Sequence, residues 1–455
     1  MSHALSINPA TEEIMAKFEY LDEKKAIIEV KKSRTAFAEW SARDVKERGT
    51  YLRKAATVLK KNSRWYGETI SKEMGKPIKQ AVAEVEKCAW ACEYYADNAE
   101  EFLKDEMVKI ESGKSYVIYQ PLGTILGVMP WNFPFWQVFR FASSTLAAGN
   151  TIVVKHSSNV PQCGIAIEEV FREAGFPDYV YKNLIISSDT VKSLVTNDCV
   201  EGLSFTGSTE AGSKIGELAG RNIKKTVLEL GSNDPFIILS NSDPKAAAEV
   251  AVTARFQNAG QSCIAAKRFI IHSDVAEEFK ETFVKHTEKL VIGDPIDEKT
   301  TLGPLARDDL RGNLENQLNL MLKERTKILT GGKRIDGKGY FFQPTVVEAI
   351  KDSKTVMNEE TFGPLASILI GDTDEELLRI ANLSKYGLGA SVWCSDRNRA
   401  ESFARKVEAG MVVVNGMVKS APCLPFGGIK KSGIGRELGK QGIREFVNVK
   451  SVLIY

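Results

Sequence analysis

Between residues 22 and 106 the apolar positions recur three and four apart, with charges between them. EKKAIIEVKKSRTAFAEW and RGTYLRKAATVLKKNSRWYGETISKEM carry this spacing, which is the period of a helix with one buried face. Gly75 and Pro77 in MGKPIKQ interrupt the pattern, and AVAEVEKCAWACEYYADNAEEFL resumes it. Residues 116–128, YVIYQPLGTILGV, change to short β-type runs broken at QPLG. From there the chain alternates. TIVVK (151–155) reads as a buried strand, and CGIAIEEVFREAG (163–175) as a helix closed by Gly175 and Pro177. KNLIIS, GLSFTGS, KTVLEL and PFIIL read as further strands, with TVKSLVTN and TEAGSKIGELAG as helices among them. This βαβ rhythm predicts a parallel sheet covered by helices. A second alternating region starts at PKAAAEVAVTARFQNAG and runs to about residue 425, and the closing VNVKSVLIY is β-type. Two closely packed α/β domains are expected.

The chain has 455 residues, 43% of them apolar and 26% charged. That length allows large cores without disulfides or metals. The formal net charge is +2, with acids and bases interleaved, so no nucleic-acid partner is expected. No apolar run approaches the roughly 20 residues that span a bilayer. MSHALSINPATEEI lacks the basic start and apolar stretch of a signal peptide. A cytoplasmic protein without membrane partners is the expectation. The seven cysteines are odd in number and widely spaced, which argues against a disulfide framework. Cys88 and Cys92 lie four apart on a helical stretch, but no neighbouring His or Cys pair completes a tetrahedral metal site. The four histidines form no HExxH-like cluster, so general-base work falls to a carboxylate and no metal is expected.

Several short stretches combine residues suited to chemistry. In NAGQSC, Cys263 follows small and polar residues at the mouth of an apolar run, where packing, metal ligation, a disulfide and nucleophilic attack are all open. SFTGSTEAG (204–212) ends a strand, turns through Gly207 and Ser208 and starts a helix whose free N–H groups suit a phosphate. It lacks both the P-loop lysine and GxGxxG, and an ordinary βα turn fits it equally. VMPWNFPFWQVFR brackets Trp131, Asn132 and Phe133 with prolines, and the Asn132 amide is suited to an oxyanion. Lys155 in VVKHSS ends a buried strand, where open α/β sheets bind ligands. Glu229 in VLELGSNDPF sits between apolar residues, which raises a carboxyl pKa toward that of a general base. NEETFGP and PFGGIKKSGIGRE join glycine turns to aromatic and charged residues, as functional loops do.

In this order, PWNFP, Lys155, FTGSTEAG, LELG, GQSC, EETFGP and PFGGxKxSGxGRE resemble the aldehyde dehydrogenase superfamily across almost the whole chain. WNFPFWQVFR, VVKHSSN and GQSCIAAKRFII look most like its short succinate-semialdehyde dehydrogenases. The resemblance implies an α/β fold with two Rossmann-like parallel-sheet domains plus a small oligomerisation sheet. The NAD(P)-binding domain is then 1–111 and 123–229, the catalytic domain 230–425, and the oligomerisation element 112–122 with 438–455. It implies Cys263 as nucleophile, Asn132 with the Cys263 N–H as oxyanion donors, and Glu229 as the base that activates water on a thioester. Trp131, Lys155, Ser158, Gly207, Ser208, Leu230, Glu360 and Phe362 would hold the dinucleotide. Ser158 stands where NAD-preferring relatives often carry Glu; a carboxylate there repels a 2′-phosphate, so NADP is expected to be favoured, with NAD accepted. Arg140 lies eight residues after Asn132, where it is suited to a distal carboxylate. Gln257 replaces a second arginine common in longer relatives, and Ser232 replaces a usual glycine, which puts the local backbone geometry in question.

The activity implied is NAD(P)-dependent oxidation of a small aldehyde, succinate semialdehyde to succinate, by a homodimer or homotetramer. The Gln257 departure leaves a broad-specificity enzyme acting on lactaldehyde, glyceraldehyde or aliphatic aldehydes as the alternative. Transfer of the thioester to coenzyme A or phosphate fits less well, since Glu229 is present for hydrolysis. A non-catalytic protein on the same scaffold would not need Cys263, Asn132, Glu229 and Lys155 together.

Overall fold

The computed structural model describes residues 3–455; residues 1 and 2 of the expected 1–111 segment lie outside the described residues. The early helical period becomes four helices, Glu23–Ala42, Val45–Lys61, Ser63–Met74 and Ile78–Leu103. Asp22 and Asp44 cap the first two by accepting from the Lys25 and Lys46 backbone N–H groups, each at 2.8 Å. The third ends at Gly75, whose φ of 81° releases the chain into Pro77.

The alternating region after residue 123 forms a six-stranded sheet. Its order is Gly433–Ile434, Lys225–Glu229, Val200–Thr206, Thr124–Met129, Thr151–His156, Tyr181–Asn183. All neighbours are parallel except the short Gly433–Ile434 strand, which runs antiparallel to Lys225–Glu229. Thr124–Met129 lies between the strand that follows it and one that comes two helices later. The connections therefore reverse direction there, and the crevice beyond the strand ends is the natural ligand site of an open α/β sheet. The second region forms a seven-stranded sheet in the order Lys327–Thr330, Thr345–Glu348, Leu365–Gly371, Arg268–His272, Pro235–Ile238, Gly389–Trp393, Met411–Val414, parallel except at the first edge. Its central strands are buried on both faces, as FIIL and FIIH in the sequence require.

Each large sheet has its own apolar core. One lies between the N-terminal helices, the helix Trp136–Ala147 and one face of the six-stranded sheet, with a smaller core on that sheet's other face; the other surrounds the seven-stranded sheet. A third, small sheet pairs Val447–Ile454 with Lys114–Pro121 and Glu106–Val108, all antiparallel. No helix of the described residues is long and apolar enough to cross a membrane.

Three local differences from the sequence reading have physical causes. His3–Ile7 and Ile14–Glu19 form an antiparallel hairpin where no strand is expected. Its second strand is largely exposed, so it carries no apolar alternation to detect. KNLIIS forms a strand only at Tyr181–Asn183, an edge position with one partner. Residues 438–446 do not belong with the small sheet, because Leu438, Ile443 and Phe446 are buried in the first core, where Phe446 meets Phe141 edge-on at 5.9 Å.

Candidate active site

Cys263 reaches its place through an unusual backbone. The helix Pro244–Phe256 ends, and Asn258, Ala259 and Gly260 follow with φ of 55°, 52° and 71°. Three successive left-handed residues reverse the chain sharply, a conformation that non-glycine residues hold only under constraint. The constraint is a set of hydrogen bonds. Asn258 Nδ2 donates to the Asn132 carbonyl at 2.7 Å and to the Gln261 carbonyl at 3.1 Å. Asn132 Nδ2 donates to the same Gln261 carbonyl at 3.1 Å, and Gln261 Oε1 accepts from the Ala306 N–H at 2.9 Å. Gly260 is required: a Cβ there would stand 2.2 Å from the Gly363 carbonyl oxygen. The buried Arg255 guanidinium ties the same two loops together through the Ala266, Thr361 and Gly363 carbonyls.

Lys267 forms the floor under the cysteine. Its ammonium donates to the Cys263 carbonyl at 2.7 Å, to the Ser262 and Ala265 carbonyls, and to Ser232 Oγ at 2.9 Å. Ser232 Oγ in turn donates to the Cys263 carbonyl. The Ser232 backbone is not left-handed, so a serine stands in the place of the usual glycine without strain and gains a contact to the nucleophile loop. The Cys263 N–H donates no hydrogen bond among the described residues, and one hydrogen of the Asn132 amide is uncommitted. Cys263 itself is half-buried, and desolvation pushes its thiol up to about 11, with Arg140 and Lys267 pulling the other way.

Glu229 ends its strand, 2% exposed, with neither carboxylate oxygen hydrogen-bonded. Burial holds its carboxyl well above the usual carboxylate range; Arg140 opposes this and Glu437 adds to it. Burial without a partner raises the proton affinity of the Glu229 carboxylate, so its ionised form is a stronger base than an ordinary carboxylate.

Of the residues expected to hold a dinucleotide, Trp131, Lys155, Ser158, Gly207, Ser208 and Leu230 lie at or just past strand ends of the six-stranded sheet, while Glu360 and Phe362 come from the loop before Leu365–Gly371 of the seven-stranded sheet. Lys155 is buried, makes no hydrogen bond or ion pair among the described residues, and faces a cavity of about 410 Å³ with Val128 and Phe205. Burial lowers its pKa. Lys192, Lys214 and Arg221 also line this cavity. Ser158 lies three residues past Lys155, exposed, and is not among the lining residues. Gly207 donates its N–H to the Glu229 carbonyl at 3.0 Å, so the turn packs on the end of the next strand. Ser208 caps the helix Thr209–Arg221 by accepting from the Ala211 N–H at 3.3 Å. Leu230 packs so closely on this helix that a Cβ at Gly212 would meet it at 2.2 Å. Trp131 and Phe362 meet edge-on at 5.8 Å, joining PWNFP to EETFGP. Glu360 is aimed at the nucleophile loop, accepting from the Ser232 N–H at 3.0 Å and lying 3.6 Å from the Lys267 ammonium. A cationic side chain with no protein partner, beside a capped helix N-terminus at a sheet's switch point, fits a pyrophosphate-bearing cofactor.

Cys263, Arg140 and Gln257 line one cavity of about 430 Å³, with Phe133, Trp136 and Phe426 among its walls. Arg140, expected beside a distal carboxylate, lines this cavity but also has partners within the protein. Its guanidinium is not free: Nε is ion-paired with the buried Glu437, Nη2 reaches Thr206 Oγ1 at 3.3 Å, and the group lies 4.4 Å over the Phe426 ring. Glu437 comes from the SGIGRE segment, nearly 300 positions away, so spacing cannot reveal the pair. Lys267 and Arg255 were also invisible as site residues, because their roles are to hold carbonyls of the nucleophile loop. All seven cysteines are free thiols, and among the described residues no group of three His, Cys, Asp or Glu side chains is placed to hold a metal.

The chain is similar to known proteins along almost its whole length. Residues 2–452 match the model of the aldehyde dehydrogenase family. A probable NADP(+) succinate-semialdehyde dehydrogenase of Synechocystis sp. is 44% identical over 449 residues, covering 99% of each chain. An NADP(+) succinate-semialdehyde dehydrogenase of Mycobacterium tuberculosis is 42% identical over 452 residues, again covering 99% of both. The crystal structure of succinic semialdehyde dehydrogenase from Streptococcus pyogenes, in complex with NADP+, superposes with a TM-score of 0.97 at 36% identity, covering 99% of each chain.

Proposed function

The chain belongs to the aldehyde dehydrogenase family, and from that premise we propose that it oxidises succinate semialdehyde to succinate with NADP favoured and NAD accepted. The observation that carries this reading is a thiol, held by a left-handed turn, opening on a cavity beside a buried arginine, in a chain 44% identical over its length to an NADP(+) succinate-semialdehyde dehydrogenase. The unpartnered Lys155 and the exposed Ser158, which sets no carboxylate against a 2′-phosphate, support the cofactor preference.

The proposed chemistry uses the residues as follows. The Cys263 thiolate attacks the aldehyde carbon and forms a thiohemiacetal. The uncommitted Asn132 amide hydrogen and the Cys263 N–H stabilise its oxyanion; one such donor contributes about 3 kcal/mol to barrier lowering. Oxidation of the thiohemiacetal to a thioester removes a hydride, which a bound dinucleotide would accept. Lys155, the Ser208 turn, the Trp131–Phe362 corner and Glu360 would bind and orient it. Glu229 then takes a proton from water as that water attacks the thioester, releasing the acid and the thiol. The enzyme is proposed to be cytoplasmic and to assemble as a homodimer or homotetramer through the small sheet.

Steady-state reduction of NADP and NAD with succinate semialdehyde, lactaldehyde, glyceraldehyde and butanal tests the reading, with Cys263→Ala beside the wild type. The expected result is highest kcat/KM for succinate semialdehyde with NADP, and none for Cys263→Ala. A neutral aldehyde giving the highest value would favour the broad-specificity reading. One observation speaks for that alternative: the Arg140 charge is already met by Glu437, and position 257 is a neutral glutamine.

A further inference from the structure

Among the described residues, the catalytic cavity has one largely desolvated cation that makes no ion pair. Its charged lining residues are Glu84, Lys87, Arg140 and Lys419. Glu84 is fully engaged, ion-paired to the buried Lys76 and accepting from the Phe135 and Trp136 N–H groups at 2.9 and 3.0 Å. Arg140 is paired with Glu437, and Lys419 is exposed to solvent. Lys87 is different. Its ammonium donates to Ser420 Oγ at 2.8 Å and lies 4.3 Å from the centre of the Trp136 ring. It makes no ion pair among the described residues.

Lys87 is held in place from two elements. Gln80, Ala83, Glu84, Lys87 and Trp90 lie on one face of the helix Ile78–Leu103, three and four residues apart, and all five line the cavity with Cys263. The Trp136 indole N–H also donates to Ser420 Oγ, at 3.1 Å, so the hydroxyl that receives the ammonium is itself fixed. A largely desolvated ammonium beside two further cations is costly unless an anion joins it. The aldehyde that reaches Cys263 must pass or occupy this same cavity.

We propose that Lys87 recognises the distal carboxylate of the substrate and sets the enzyme's preference for aldehydes that carry one. This rests on the succinate-semialdehyde reading above and deepens it, since Arg140 alone offers a guanidinium already neutralised by Glu437.

The proposal has a pH signature. Desolvation first, then Arg140 and Lys419, lower the Lys87 pKa to about 8, while Glu84 and Cys88 act in the opposite direction. Lys87 is thus charged at neutral pH and loses its charge as pH rises past about 8. A bound carboxylate favours the charged form, so affinity for the anionic substrate is full below that pH and falls above it.

The experiment measures kcat and KM for succinate semialdehyde and for butanal, a neutral four-carbon aldehyde, from pH 6.5 to 9.5. Wild type, Lys87→Met and Lys87→Arg are compared, with NADP saturating. Lys87→Met is expected to lower the ratio of the two kcat/KM values at least tenfold, chiefly through KM, and Lys87→Arg to restore most of it. In the wild type the KM for succinate semialdehyde alone should climb above pH 8, and Lys87→Met should abolish that climb. A preference that survives Lys87→Met undiminished, with the pH profile unchanged, overturns the role of Lys87 alone. A wild type without any preference for succinate semialdehyde overturns the substrate reading, and this role with it. Should Lys87→Met fail to fold, Lys87→Gln is read the same way, with butanal turnover reporting the folded state.

Discussion

Cys263 shows how a single residue's reactivity depends on surroundings that its neighbours in sequence do not reveal. A free thiol near pKa 8.5 would be a few per cent thiolate at neutral pH. Burial in the cavity raises it to about 11 here, against the pull of Arg140 and Lys267. The resting enzyme therefore holds a protected thiol, and each pH unit between 7 and 9 should raise the thiolate fraction about tenfold. Inactivation by iodoacetamide, followed as loss of dehydrogenase activity so that the exposed Cys423 does not interfere, is expected to accelerate in that proportion without a plateau. A plateau near pH 8.5 would mean the thiol is solvated as an ordinary cysteine. Glu229 is the counterpart. Its identity as a buried carboxyl was readable from the apolar residues around it in VLELG, whereas its lack of any hydrogen bond was not.

At the scale of elements, helices and strands were legible wherever the apolar period ran for several turns or a whole strand. TIVVK, TEAGSKIGELAG and KTVLEL became Thr151–His156, Thr209–Arg221 and Lys225–Glu229. The turn that delivers the nucleophile was not legible, because nothing in QNAG announces left-handed Asn258 and Ala259. Those conformations are imposed by hydrogen bonds to Asn132 and Gln261 and by the close approach of the EETFGP loop. Gly260→Ala tests this. The substitution puts a side chain at φ 71° and against the Gly363 carbonyl. It should cost about 2 kcal/mol or more in stability, read as a lower Tm, and depress kcat by moving Cys263. An unchanged Tm and kcat would show that the two loops can separate freely.

At the scale of the whole molecule, the small sheet is the feature that a lone chain leaves unfinished. Val447–Ile454 pairs with Lys114–Pro121 on one side and, among the described residues, has no strand on the other. Val449, Leu453 and Ile454 are each half or more exposed, as is Met107 on the third strand. A long apolar edge of this kind calls for a partner. A second copy meeting the first through this sheet is expected, so Leu453→Asp with Val449→Asp should shift the species seen by sedimentation velocity to a smaller one. If the variant sediments as the wild type does, assembly uses another surface.

The sequence by itself determined the two α/β regions, the order of the motifs and the residue types that do the chemistry, because apolar periods and short motifs are local properties of a chain. Tertiary structure alone decided which charges remain free. Glu437 meets Arg140, Glu360 meets Lys267, and Glu84 meets Lys76, while Lys87 and Lys155 face their cavities without an ion pair among the described residues. The reason is physical: an ion pair depends on distance and burial in three dimensions, and residues hundreds of positions apart settle which cation is spent on the fold and which is kept for a ligand.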